Sequence, residues 1–395
     1  MRILHYSATY APAWNWGGPP RSVSNLCEGL AELGHEVTVY TTNAGLERDG
    51  AIAVGRSVER NGVHVTYFPA RRGVLGIVSA ELEGAVRRDV ARFDLVHLCG
   101  AWQPTSPASV RAARRAGIPF VISPRGMLQR YSFSQKPWKK WLWYYLCERS
   151  QLRNAAAIHC TSRLEDREME RLRLPTPRFI VPNVIPTTMW RRDDEAGSRF
   201  RMELGLGSDD LLLLYAGRLH HKKGLELLPA VCAELSRQRA VRLVLAGPDE
   251  DGTQGRLVQD FNARGLAGCV RFLGKVGTSE LVAAYSAAQV FVFPSRDENF
   301  GNVAVEALAC GCQVVLGRGV GAAEDLTDLA AVRVAELEPV AWAEAIGSLT
   351  TNCGTLPEYD RLRTLIEQRF GMAGVARTMS DHYTRLCEPQ QQSRS

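Results

Sequence analysis

The sequence predicts an α/β protein made of two doubly wound parallel-sheet domains in tandem. Three observations lead there. The chain has 395 residues, too many for one ordinary hydrophobic core and enough for two. Short apolar runs alternate with helix-patterned segments, as expected for strands buried between helical layers. The alternation stops at a polar stretch near the middle and then restarts.

In chain order, RILHYSATY reads as a strand, and PRSVSNLCEGLAELG as an amphipathic helix closed by Gly34. EVTVYTT and VHVTYFP are the next strands, followed by DLVHLCG, PFVISPRG, AAIHCTS and RFIVPN, mostly with helical segments between them. Residues 187–208, TTMWRRDDEAGSRFRMELGLGS, are polar and read as a linker region. The strands then resume as LLLLYAG, RLVLAGPD, VRFLG, VFVFPS and QVVLG. The expected domains are residues 1–190 and 191–371. A last helix at about 372–388 is expected to pack back on the first domain, and the polar tail 389–395 is expected to be disordered.

Composition narrows the function. Apolar residues make up 45% and charged residues 23%, the balance of a soluble globular protein. A net charge of +6 over this length gives no footprint for nucleic-acid binding. The 10 cysteines form no CxxC pair and sit mostly in apolar runs, so they read as reduced thiols and not as a zinc ribbon. The N-terminus lacks the apolar core of a signal peptide, and no apolar run is long enough to cross a bilayer. A cytoplasmic protein is expected, at most peripheral at the inner face of the membrane.

In open parallel sheets ligands bind beyond the carboxyl ends of the strands, so the loops there carry the chemistry. After LLLLYAG comes GRLHHKKG, where Arg218 and Lys223 offer the fixed positive charge a diphosphate needs. A solvated basic loop fits the same residues. After VFVFPS comes RDENFGNVAVEALA. Its Asn299, Phe300, Gly301, Asn302 and Val303 lie where a helix begins, and amides at such a place attract anions. Glu306 lies about a turn inside, on side chains that lean back toward the N-terminus, so it can bind a pair of hydroxyls. With Asn302 as cap, the third helical position is Val305, which leaves Glu306 outside a capping box. Glu298 precedes the helix and would meet another part of the same ligand. The first strand is followed by a long loop with Gly17 and Gly18, which permit close backbone approach. This is not GxGxxG, which counts against a dehydrogenase. Lastly, residues 129–154 combine Trp138, Trp141 and Trp143 with Arg130, Lys136, Lys139, Lys140, Arg149 and Arg153 against the acid Glu148. Such a segment reads as an interfacial membrane contact or as a helix with a buried aromatic face.

ENFGNVAVEALACG resembles the Glu-x7-Glu motif of retaining glycosyltransferases, and GRLHHKKG resembles their Arg-x4-Lys diphosphate clamp. The Gly-Gly loop, the PNV turn at Pro182–Val184 and PSRDENFG fit as well, so the resemblance to glycosyltransferase family 4 runs from Met1 to at least Leu386. It implies a GT-B fold, two Rossmann-like domains facing a cleft, and transfer of a sugar from a UDP- or GDP-sugar to a glycan or lipid-linked acceptor in bacterial surface polysaccharide or glycolipid synthesis. By the same resemblance Arg218 and Lys223 would neutralise the diphosphate, Glu298 would bind the transferred sugar and Glu306 the ribose. Amides near Phe300 and Gly301 would hold sugar or phosphate, and the backbone of Lys275 and Val276 would touch the base. No metal and no cofactor would be needed, the nucleotide-sugar being a substrate. Two positions depart from the family. Relatives often carry His where this chain has Cys99, with His97 two residues earlier, and again where it has Arg125. These three are acceptor-side candidates, and Arg125 points to an anionic group or to a structural role in a turn. An epimerase or hydrolase on the same fold, or a non-catalytic nucleotide-sugar-binding subunit, is the alternative.

Overall fold

The computed structural model describes residues 1–46, 52–73, 76–207, 209–350 and 356–388; the expected disordered tail lies outside them. The chain forms two compact units, one of Met1–Val184 with the segment from Met372 onward, the other of Ile185–Gly371.

The first unit holds strands β1 (Arg2–Ser7), β2 (Glu36–Thr42), β3 (Ser57–Arg60), β4 (Val63–Phe68), β5 (Arg71–Gly73), β6 (Gly76–Val78), β7 (Leu95–Cys99), β8 (Phe120–Ser123), β9 (Ala157–Cys160) and β10 (Arg178–Ile180). Eight of them form one sheet in the order β10-β9-β8-β7-β1-β2-β4-β3. Its centre is buried on both faces: Ile3, Leu4, Val96, Leu98, Val121 and Ile122 are all sealed from solvent. All pairs are parallel except β3 with β4, which the sequence reading did not anticipate. The two are joined by Asn61-Gly62, both left-handed with φ of 49° and 77°, the combination that a tight two-residue hairpin requires. β5 and β6 pair only with each other.

The helix Gly18–Glu32 buries Val23, Leu26, Cys27 and Leu30, one stripe at helical spacing. It packs against the last helix, Met372–Cys387, which buries Val375, Ala376, Met379 and Tyr383. Gly29 is the contact point: a Cβ there would lie 2.8 Å from Met372 Cγ and 3.0 Å from Ala376 Cβ.

The second unit holds β11 (Leu211–Ala216), β12 (Val241–Ala246), β13 (Val270–Gly274), β14 (Val290–Phe293), β15 (Gln313–Gly317) and β16 (Val332–Ala335), in the order β13-β12-β11-β14-β15-β16. Every described pair is parallel, and β11 is buried along its whole length. Within the expected linker region, the structure forms a helix at Asp194–Glu203 that belongs to the second unit. Asp193 caps it by accepting from Ala196 N at 2.8 Å. That helix packs on Thr278–Ala287 through Phe200 and Gly197, and Trp190 just before it is 1% exposed. Three buried apolar contacts outweigh the polar average of the segment.

In the Trp-rich region of the first unit, the helix Pro137–Trp143 runs through a π-turn, Tyr144–Glu148, into Arg149–Asn154. Glu148 is 2% exposed, and its Oε2 accepts from Trp102 N and Trp143 Nε1, each at 3.2 Å. Burial pushes its carboxyl up to about 7, the two donors opposing.

Two expectations follow from this packing. Gly29→Leu forces a side chain into the contact between the two helices and should cost about 1–3 kcal/mol, read as a lower denaturation midpoint with earlier proteolysis of the last helix. Glu148 binds its proton more tightly folded than unfolded, so stability should fall as pH rises from the ordinary carboxylate range to about 7. Glu148→Gln should flatten that slope and be more stable than the parent at pH 8 by on the order of 2 kcal/mol. Urea unfolding at pH 5 and pH 8 reads both; equal slopes in the two proteins would place the proton elsewhere.

Candidate functional site

The carboxyl ends of β11 to β14 carry the second unit's site. β11 is followed by Gly217 and β12 by Gly247, with φ of 142° and 148°. A Cβ on Gly247 would collide with the Gly217 carbonyl, so these turns lie backbone against backbone. Gly247 N also donates to Gly274 O at 2.7 Å, which ties in the turn that leads to Lys275 and Val276. Arg218 follows Gly217, its carbonyl accepting from Tyr215 Oη at 2.9 Å. Its Nη1 donates to both carboxylate oxygens of Glu250, at 2.9 Å each. That pair is exposed.

Lys223 closes a short turn, His221–Lys223, whose Lys222 amide donates to His220 Nδ1 at 3.3 Å and whose His221 amide donates to Asp251 Oδ2 at 3.0 Å. Gly224, at φ 68°, lets the chain pass against Pro294. The Lys223 side chain is 9% exposed, forms an ion pair with Glu298 and lies 5.3 Å from the centre of the Phe293 ring. Beside it Lys222 pairs with Asp297 at 3.5 Å. Glu298 is fixed from its backbone too: its N donates to Gly319 O at 2.8 Å, and its carbonyl accepts from Gly321 N at 2.9 Å. Burial works to raise its carboxyl, but Lys223, Lys222 and Arg218 outweigh it and hold Glu298 below its ordinary value. It is therefore an anion and a poor base.

Helix Asn302–Ala309 starts beside Glu298. Its cap is Gly301 at φ 95°, not Asn302, so the third position is Ala304 and no capping box forms. Gly301 is required twice over, since a Cβ would also lie 2.7 Å from Val320 Cγ1. The glycine cap supplies no side-chain hydrogen bond, and the helix N-terminus adds its positive dipole end. Phe300 is buried, with Phe370 6.0 Å away. Glu306 is 6% exposed and neighbours Tyr285, whose hydroxyl donates to Val303 O at 3.2 Å. Burial, then Glu306, hold that phenol well above its ordinary value, so it acts as a donor. Sequence reading missed Tyr285 and Glu250; nothing in their local patterns marks them.

Thus the structure brings Arg218, Lys223, Glu298 and the 299–306 segment together, with Lys275 and Val276 on a neighbouring strand end. Gly17 and Gly18 belong to the first unit. Gly17 caps the helix Gly18–Glu32 at φ 83°, a backbone angle that favours glycine, and a Cβ there would meet no protein atom within 4 Å.

In the first unit, Cys99 and Arg125 line a cavity of about 240 Å³, and His97 does not. His97 is a correction: it is fully buried in mid-strand, its Nδ1 2.5 Å from Tyr383 Oη, inside a cluster with His5 and His159. Among the described residues, two groups bring three possible metal-ligating atoms within 4.8 Å of one another: His5, His97 and Cys99, and His220, His221 and Asp251. The first is sealed and the second already pairs internally, His221 Nδ1 to Asp251 at 2.8 Å.

Comparison with known proteins gives this geometry its context. Residues 17–184 match the glycosyl transferase 4-like domain, and residues 210–352 match the glycosyl transferases group 1 domain. The chain is 27% identical to the D-inositol 3-phosphate glycosyltransferase 2 of Catenulispora acidiphila, over 98% of this chain and 94% of that protein. It is 28% identical to the D-inositol 3-phosphate glycosyltransferase of Xylanimonas cellulosilytica, over 93% and 91%. Among solved structures it resembles Anabaena HepE in complex with UDP, with a TM-score of 0.76, 20% identity and coverage of 98% of this chain and 100% of that one. Two parallel-sheet units of this kind, matched in order by those two domains, are the GT-B fold, and the chain belongs to the family 4 glycosyltransferases.

Proposed function

We propose that the protein transfers a sugar from a nucleoside diphosphate sugar to a hydroxyl of its acceptor, with the anomeric configuration retained and without a metal. One observation carries the donor reading. The Lys223–Glu298 pair, Arg218 and a glycine-capped helix N-terminus meet at the carboxyl ends of adjacent strands. Cations and a helix dipole aimed at one place suit the charge that develops on a departing diphosphate. Glu298, ionised and held by Lys223, is suited to hydroxyls and to positive charge developing on the sugar. Glu306, a turn inside the helix, takes the ribose. Retention rests on the Glu-x7-Glu resemblance. Uridine is the first base to test, since the HepE structure contains UDP.

The acceptor reading has two supports. The relatives named above act on D-inositol 3-phosphate, which makes a phosphorylated cyclitol the first acceptor to try. The Trp-rich segment supports a lipid-linked glycan instead. Trp138, Tyr145 and Leu146 are 67%, 66% and 69% exposed, and the one acid there, Glu148, is buried. Exposed basic residues Lys136, Lys139 and Arg153 flank them, so the face suits an anionic membrane surface. No helix among the described residues is long and apolar enough to cross a membrane.

A screen of UDP-, GDP- and ADP-sugars with EDTA present, reading nucleotide release with inositol 3-phosphate or a lipid-linked glycan, tests the reading. One donor should turn over, and Arg218→Ala and Lys223→Ala should each cut its rate by roughly 10²-fold or more. Full activity in both variants, or activity that EDTA abolishes and manganese restores, would end it. The two acids should separate. Glu306→Gln should weaken binding of the free nucleoside diphosphate by about 1–2 kcal/mol. Glu298→Gln should spare that binding and depress transfer. Calorimetry beside transfer rates decides, and the reverse pattern refutes the assignment.

A further inference from the structure

The cavity in the first unit opens where β1 and β7 end, at Ser7 and Cys99. Most of its wall is apolar: Trp16, Val23, Ile77, Trp102, Pro104 and Met127. At about 240 Å³ it has room for roughly eight waters or one ring-sized group.

Arg125 is the one charged side chain in the lining. It is 7% exposed. Its Nη1 donates to Ser22 Oγ at 3.1 Å and to Asn183 Oδ1 at 2.9 Å, and its Nε has no partner. Both acceptors are neutral, and no ion pair of Arg125 occurs among the described residues. No acid among the described residues lies within ion-pair distance of it. Burial, with Arg125 itself contributing, pushes His5 and His159 down to about 3 and His97 well below its ordinary value, so the imidazoles carry no charge near neutral pH. Burial likewise raises the Cys99 thiol, against the pull of Arg125. Glu165, the acid whose ionisation Arg125 favours, is itself raised by burial. It spends its oxygens on Gly126 N, Thr161 N and Thr161 Oγ1.

A structural arginine in a turn finds carbonyls or a carboxylate for its donors; a buried guanidinium without an anion is costly. The backbone points the same way. Arg125 and Trp102 are both left-handed non-glycine residues, with φ of 52° and 59°, and both line the cavity. Strain of this kind collects where a side chain must be aimed.

We infer that this cavity binds a sugar-sized group bearing an anionic substituent, a carboxylate or a phosphate, with Arg125 as its counter-charge and the Trp16 and Trp102 side chains as its apolar walls. The inference rests on the proposed transfer reaction and specifies the charge of a group that the first unit receives. A fixed guanidinium charge suits either anion, and Ser22 and Asn183 hold it in place through Nη1.

Calorimetric titration of the full chain at low salt tests it, with D-glucuronate, D-glucose 6-phosphate and neutral D-glucose as probes and UDP, GDP and ADP as controls. At least one of the two anions should bind tenfold or more tighter than glucose, and which one does so identifies the group. Arg125→Gln should abolish the preference, Arg125→Lys should keep part of it, and Lys223→Ala should leave it intact. Equal or absent binding of all three sugars by the parent chain overturns the inference without any variant, so misfolding of Arg125→Gln cannot shelter it. A preference lost in Lys223→Ala and kept in Arg125→Gln also overturns it, because the anion then sits in the second unit. Nucleotide binding with no anion preference sinks this inference alone; no binding of any nucleoside diphosphate sinks the donor reading.

Discussion

Lys223 and Glu298 stand on different strand-end loops, and their ion pair, buried on the lysine side and half-buried on the acid side, sets the geometry of the second unit's site. An ammonium as buried as this one is tolerated only against an anion held in place. The fold supplies that hold. Arg296 N donates to Lys222 O at 3.0 Å, joining the two loops directly. Gly224 lets the lysine loop lie on Pro294, and Gly319, where a Cβ would strike the Arg296 carbonyl, lets the next loop close over the acid. The Phe293 ring fills the space beside the ammonium. Loss of Glu298 would strand the buried ammonium, and breaking a fully buried pair in this way costs about 3–5 kcal/mol. The pair therefore fixes where Glu298 points and where helix Asn302–Ala309 begins.

Much of this was legible in the sequence, because it depends on period and punctuation. Central strands such as β11 and β14 are continuous apolar runs, and the charged loops follow them directly. The failures have separate physical causes. Residues 194–203 look polar on average, but a helix needs only one buried stripe, and Phe200 with Gly197 supplies it. The β3–β4 hairpin was announced by Asn61-Gly62, a signal passed over because β3 itself is short and polar, as edge strands often are. The Gly301 cap went unread because Asn is the commoner capping side chain, whereas the left-handed φ and the closeness of Val320 exist only in three dimensions.

His97 shows a different limit. Its type and its place near a strand end made it a reasonable site residue, but strand register decides otherwise. His97 stands directly across from His5 on β1, and the last helix brings Tyr383 to its Nδ1. Cys99, two residues on and on the same face, is the one that reaches the cavity. Alternation tells which residues share a face; it does not tell how deep along the strand the helices stop covering that face.

The cations discussed above form a series ordered by burial and by what they already hold. Arg218 is paired with Glu250 in water, where such a pair is worth about 0–1 kcal/mol, so a diphosphate can replace the carboxylate at little cost. Lys223 is buried with Glu298 and cannot exchange its partner cheaply; it adds fixed charge and fixed direction. Arg125 is buried, donates to the neutral Ser22 and Asn183, and forms no ion pair among the described residues. An exposed paired arginine is therefore ready to exchange, a buried paired lysine to orient, and a buried unpaired arginine to discriminate, because a neutral group in its place would leave its charge uncompensated.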